Sequence, residues 1–181
     1  MTSPYGIEMA GEGGQGVVLA AVILAEAAAT FDGKQAAQSA SYGPEARGGL
    51  TKSEVVISEQ EIDYPKVVQA DLLLAMNQEA CDKYVAQLKQ GGLLLVDSTY
   101  VQRLPPRPLY AVPITRLAEE ATGRAMTANV VALGIIVGLT GIVSQRAVES
   151  ALAARAPKGT QEVNLKALHA GLQAARALVD A

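Results

Sequence analysis

The chain has 181 residues, half of them hydrophobic but only 4% aromatic, so a single domain spanning 1–181 with an Ala, Val, Leu and Ile interior is expected. A net charge of −3 with no long basic run argues against phosphate-tracking of nucleic acid. The lone cysteine, Cys81, excludes an internal disulfide and an iron–sulfur cluster held by this chain alone, and the lone histidine, His169, excludes a His-rich metal site. Met1-Thr2-Ser3-Pro4-Tyr5 carries no basic run ahead of an apolar one, so no signal peptide is expected and a reducing cytoplasm is the expected compartment.

In chain order, Ile7-Glu8-Met9-Ala10 reads as a strand. Gly11-Glu12-Gly13-Gly14-Gln15-Gly16 follows as a turn, and an Ala-rich helix runs from about Gly16 to Thr30. Asp32-Gly33 closes that helix, and Lys34 to Ser41 reads as a second strand. Tyr42 to Gly49 is a loop, and Thr51 to Ser58 a third strand centred on Val55, Val56 and Ile57. Asp63, followed by Pro65, predicts the cap of a short helix. Asp71 to Met76 is a compact apolar strand, Gln78 to Lys89 a helix stopped by Gly91-Gly92, and Leu93 to Val96 another buried strand. Pro105, Pro106 and Pro108 stiffen the link to a last strand, Leu109 to Val112, and a helix fills Pro113 to Gly123.

Val130 to Val143 carries no charge, and Gly134 and Gly138 fall on one helix face. A membrane span needs about 20 apolar residues, so no membrane insertion is expected. A helix apolar all round must be covered, and burial between this domain and a partner is the expectation. Asn129 reads as its N-cap, Ser144 as the cap of a helix ending near Ala154, and Asn164 as the cap of a last helix, Leu165 to Val179. Buried strands alternating with helices indicate an α/β fold: one mostly parallel sheet covered by helices on both faces.

The glycine loop satisfies G-x-G-x-x-G, a pattern that fits either an anion site or a bare strand-to-helix turn. A nicotinamide site wants an acidic residue about 20 positions on, at the end of the second strand. That strand ends in Ser41-Tyr42, and Asp32 stands too early. A Walker loop is absent, since no Gly-Lys-Ser/Thr follows. Ser41-Tyr42-Gly43-Pro44-Glu45-Ala46-Arg47-Gly48-Gly49 is the second candidate, at the carboxyl end of a strand where open α/β sheets bind ligands. Arg47 offers a planar donor fork, and Gly48-Gly49 a backbone anion nest; alternatively Glu45 and Arg47 pair with each other or with a neighbouring subunit. Asn77 and Asp97-Ser98 lie at other strand ends, to line the same crevice or to cap the next element. Cys81, His169 and the Glu119-Glu120 pair read as packed or solvated positions. No nucleophile–base–orienter set is evident, which suggests a chain completing a site whose hard chemistry belongs to a cofactor held elsewhere.

Gly11-x-Gly13-Gly14-Gln15-Gly16, Ser41-Tyr42-Gly43-Pro44-Glu45-x-Arg47-Gly48-Gly49 and Ser53-Glu54-Val55 resemble the gamma subunit of 2-oxoacid:ferredoxin oxidoreductases. The similarity continues through Asp63-Tyr64-Pro65, Asn129 to Gly134 and Pro157-Lys158-Gly159-Thr160, and is greatest to the 2-oxoglutarate synthase type. The resemblance implies a fold like catalytic domain III of pyruvate–ferredoxin oxidoreductase, and a subunit inactive alone. Its complex would decarboxylate a 2-oxoacid oxidatively, form an acyl-CoA such as succinyl-CoA, and reduce ferredoxin. The resemblance also implies alpha, beta and delta (ferredoxin-like) partner subunits, with thiamine diphosphate, Mg²⁺ and [4Fe-4S] clusters in those chains and none held by this chain alone. Coenzyme A would enter as co-substrate. Gly11, Gly13, Gly14, Gln15 and Gly16 are then the CoA-side loop. Ser41, Tyr42, Gly43, Glu45, Arg47, Gly48, Gly49 and Asn77 face CoA or the active-site entrance. Glu12 is at odds with a phosphate in the loop, and the pantetheine arm or a partner backbone is the alternative occupant. A structural docking subunit, or a stand-alone nicotinamide- or flavin-binding oxidoreductase, are the competing readings.

Overall fold

The computed structural model describes residues 3–44 and 48–181. Its six strands are β1 (Tyr5–Glu12), β2 (Gln35–Tyr42), β3 (Leu50–Ser58), β4 (Ala70–Ala75), β5 (Leu88–Asp97) and β6 (Tyr110–Val112). They form one sheet in the order β2-β3-β1-β4-β5-β6. The pairs β1–β4, β4–β5 and β5–β6 are parallel, whereas β3 runs antiparallel to both β1 and β2. The reversal has a simple cause. Only residues 43–49 separate β2 from β3, and a parallel crossover needs a dozen or more.

The helices are α1 (Val17–Glu26, continuing as a π-helical turn over Ala27–Phe31), α2 (Gln78–Tyr84), α3 (Ile114–Thr122), α4 (Ala128–Thr140), α5 (Gln145–Arg155) and α6 (Gln161–Val179). The two-residue period of the strands sorts their side chains between two cores. Ile7, Met9, Val55, Ile57, Leu72, Leu74 and Leu95 point into the larger one, under α1, α3, α4, α5 and α6. Ala10, Leu73, Ala75, Leu94 and Val96 point to the other face, where α2 supplies Ala80, Cys81 and Tyr84. Each large aliphatic side chain buried this way contributes about 1.5–3 kcal/mol. Helices thus lie on both faces, but five to one. Beyond α2, the β1–β3–β2 half of the thin side is polar: Lys52 Nζ lies 2.9 Å from Glu54 Oε1, 3.4 Å from Glu8 Oε1, and 5.1 Å from the centre of the Tyr84 ring.

Several local expectations are corrected. Residues 59–69 form no helix, so Asp63 caps nothing. The helix from Gln78 stops at Tyr84 and tightens over Val85–Gln87. β5 already begins at Leu88 and carries Gly91-Gly92 through a register shift between Ala70–Leu88 and Leu72–Leu93, so these glycines are an irregularity in a strand and no helix stop. α4 starts at Ala128 and α6 at Gln161, so Asn129 and Asn164 lie inside their helices. Ser144 does cap α5, accepting from the Ala147 N–H at 3.1 Å. The run from Asn129 to Val137 is wholly buried, but its cover comes from this chain. A Cβ on Gly134 would overlap the Leu168 carbonyl and one on Gly171 the Val131 carbonyl, so α4 and α6 touch backbone to backbone and no partner is needed there. No single helix among the described residues is long and apolar enough to cross a membrane.

Candidate functional site

β1 delivers the glycine loop to the carboxyl end of the sheet, and the β2–β3 turn arrives beside it because β3 pairs with β1 from Tyr5–Ile57 to Glu12–Leu50. The two loops are bonded directly: the Gly13 N–H donates to the Gly49 carbonyl at 2.8 Å. Together they wall a cleft of about 400 Å³ lined by Glu12, Gly13, Gly14, Gly16, Val17, Val18, Tyr42, Gly43, Gly48, Gly49 and Thr51. The two glycine motifs, separate in the chain, are therefore one site.

Gln15 holds the first loop in shape. Its side-chain carbonyl accepts from the Glu12 N–H at 2.6 Å, and its amide donates to the Met76 carbonyl at 3.3 Å. This bridges the loop to the end of β4. Gly16 enters α1 with φ 77°, a left-handed conformation that L side chains rarely adopt. Any Cβ there would also collide with Asn129, whose amide donates to the Gly16 carbonyl at 3.2 Å. Asn129 is thus a tie from α4 to the loop, a role hidden from a reading of caps because its partner lies 113 residues away.

The remaining candidates divide cleanly. Gly11, Gln15 and Ser41 are not among the residues that line the cleft. Asn77 stands at the end of β4 and spends its side-chain oxygen capping α2, accepting from the Ala80 N–H at 2.8 Å. Asp97 is buried and accepts from the Thr115 hydroxyl at 2.6 Å and the Thr115 N–H at 3.1 Å, binding β5 to α3. Glu45 and Arg47 fall outside the described residues. Cys81 is buried, where desolvation first and Asp82 second raise its thiol pKa, so it is a packing residue. His169 pairs with Glu149 at 2.8 Å on the outer surface. Among the described residues no three His, Cys, Asp or Glu side chains converge as a metal site.

Chemically the cleft is mostly backbone. Glu12 is its one charged lining residue among those described, and its Oε1 stands 3.6 Å from where a Cβ on Gly48 would be. Among the described residues the wall thus offers backbone amides and a single carboxylate, a surface that suits a neutral, amide-bearing ligand or another polypeptide.

The family model for pyruvate ferredoxin/flavodoxin oxidoreductase matches residues 6–174, and the chain belongs to that family. Within it, the likeness is to the small separate subunit. The chain is 47% identical over 176 residues to the 2-oxoglutarate synthase subunit KorC of Methanocaldococcus jannaschii, covering 95% of this chain and 94% of that one. The crystal structure of the keto/oxoacid ferredoxin oxidoreductase gamma subunit from Geobacter sulfurreducens superposes with a TM-score of 0.89 at 51% identity, over 97% of this chain and 98% of that one. The 2-oxoglutarate:ferredoxin oxidoreductase from Magnetococcus marinus, solved with 2-oxoglutarate, coenzyme A and succinyl-CoA bound, shares the fold with a TM-score of 0.86 at 24% identity; 98% of this chain matches 32% of that one. The same unit therefore stands alone in some relatives and inside a longer polypeptide in others.

Proposed function

We propose that this chain is the gamma subunit of a 2-oxoglutarate-type 2-oxoacid:ferredoxin oxidoreductase, and that its glycine cleft receives the pantetheine arm of coenzyme A while closing the thiamine site of its partner chains. The observation that carries the reading is the cleft itself: two glycine loops joined at Gly13–Gly49, walled by backbone, with Glu12 the one charge among its described lining residues. Backbone N–H and C=O groups match the two amides of a pantetheine arm, and Val17 and Val18 match its methylenes. The likeness to 2-oxoglutarate synthase subunits supports the substrate class. Under this reading, thiamine diphosphate, Mg²⁺ and the iron–sulfur clusters are held by alpha, beta and delta-type partners. These supply the decarboxylation and the electron path to ferredoxin. This chain orients the thiol and excludes water, so that thiolysis outruns hydrolysis.

Gly13→Ala tests it in the assembled enzyme. The new Cβ lies 3.4 Å from the Gly49 carbonyl and narrows the cleft without a forced φ. The expected result is a KM for coenzyme A raised about tenfold, with KM for the 2-oxoacid and complex assembly unchanged, a loss of about 1.4 kcal/mol of binding. An unchanged KM for coenzyme A would place its arm elsewhere.

A further inference from the structure

The two edges of the sheet are unlike. β6 has three residues and follows a link carrying Pro105, Pro106 and Pro108, the usual means of blunting an edge. β2 has eight residues, Gln35 to Tyr42, with no charge and no proline. It pairs with β3 without a bulge from Gln35–Ser58 to Tyr42–Thr51, and no strand among the described residues covers its other side. A long, regular, uncharged edge is a template for another strand.

The helix layer above it is unfinished on the same side. Val18, Val22, Ala25 and Ala29 recur at helical spacing along α1 and its π turn, and none is buried. Val18 shares the cleft wall with Tyr42, which puts this stripe on the β2 side of α1. Glu26, the only charge on α1, pairs with Arg155 of α5 on the opposite flank. Both layers therefore end in an uncharged rim: a strand edge below and an apolar helix stripe above.

We infer that a second copy of this chain occupies this rim, pairing β2 with β2 antiparallel about a two-fold axis through Ser39 and α1 with α1 above it. The rim is self-complementary. The axis sets Ser39 against Ser39, Gln38 against Ala40, and Ala36 against Tyr42 of the second copy, with the helix layers on one side. No charge meets a like charge, because the nearest, Lys34, falls opposite Pro44. Ala25 and Ala29 let the two helices approach closely. The rim is about 27 Å long and roughly 20 Å tall across two layers, a face of about 540 Å², some two-thirds of the ~800 Å² per partner of a standard interface. The result is one continuous twelve-stranded sheet, from two sheets of six. The rim meets the glycine cleft at Val18 and Tyr42, and its test reads oligomeric state in the absence of coenzyme A, so it fails separately from the proposed function.

Sedimentation of the full chain at about 1–50 µM, followed by the assembled enzyme, tests it. The wild-type chain is expected to sediment as a dimer. Val22→Glu and Val22→Lys are each expected to weaken it at least tenfold, because they set like charges face to face. Mixing the two variants should restore the dimer, which also shows that both fold. In the assembled enzyme, β2 amides should resist hydrogen exchange in wild type and lose that protection in Val22→Glu. A monomeric wild-type chain overturns the inference, as does a dimer indifferent to both variants. Protection of β2 in an enzyme holding one copy of this chain would do the same, since a partner chain would then be the occupant.

Discussion

At the scale of single residues, Glu8 is the least comfortable group in the molecule. It is fully buried on β1, one oxygen reaches Lys52 at 3.4 Å, and the other has no partner. Burial pushes its carboxyl pKa up, against the attraction of Lys52. For Glu54 burial also pushes upward, but the 2.9 Å contact with Lys52 outweighs it and the net direction is down. The two carboxyls thus make opposite contributions. Glu54 stabilises the fold above its unfolded pKa, and that contribution is lost as pH falls through its folded value. Glu8 stabilises only while protonated, and its contribution is lost as pH rises above the unfolded value of about 4.3 and through the folded one. Glu8→Gln removes the second effect. Thermal melts should show the variant above wild type by about 2–4 °C at pH 8, with the gap closing at pH 4. A gap independent of pH would contradict the assignment.

At the scale of elements, the decisive contact is α4 on α6. Gly134 and Gly171 leave no room for a side chain at the crossing. Gly171→Val should lower the melting temperature by roughly 5–10 °C, since overpacking costs about 1–3 kcal/mol and here meets backbone. A shift under about 2 °C would mean the helices separate freely. The same pair shows how far local reasoning reaches. Gly134 and Gly138 were legible as a small-residue face, and Ser144 as a cap, because both depend on neighbours a few residues away. The identity of the covering helix was not legible, and a partner was expected where α6 lies. Asn129 and Asn164 read as caps because Asn favours that position. In the fold Asn129 serves Gly16, and the Asn164 amide donates to Thr160 Oγ1 at 3.3 Å within α6. Gly91-Gly92 read as a helix stop, but Leu88 has a strand partner in Ala70 that no local signal announces.

At the scale of the whole molecule, five helices cover one side of the sheet and one the other, leaving a cleft at the carboxyl end and a bare rim at β2. The described residues bring together no nucleophile, base and orienting group. Under the proposed function, in which partner chains hold the thiamine diphosphate and the clusters, the purified chain is expected to show no coenzyme A-dependent oxidation of 2-oxoglutarate with ferredoxin or an artificial acceptor. Adding it back to alpha, beta and delta-type chains prepared without it should restore turnover. Turnover by the chain alone would overturn the reading of an incomplete site.

The strands, most of the helices, the two glycine motifs and the family resemblance were all present in the residues, because each rests on spacing and local backbone chemistry. Tertiary structure alone decided that β3 inserts between β2 and β1, that the two glycine turns meet at Gly13 and Gly49, that Glu12 faces the cleft, and that α1 and β2 end together in an uncharged rim. Those outcomes depend on which distant surfaces come to share a core, and hydrophobic burial is non-directional until the chain has packed.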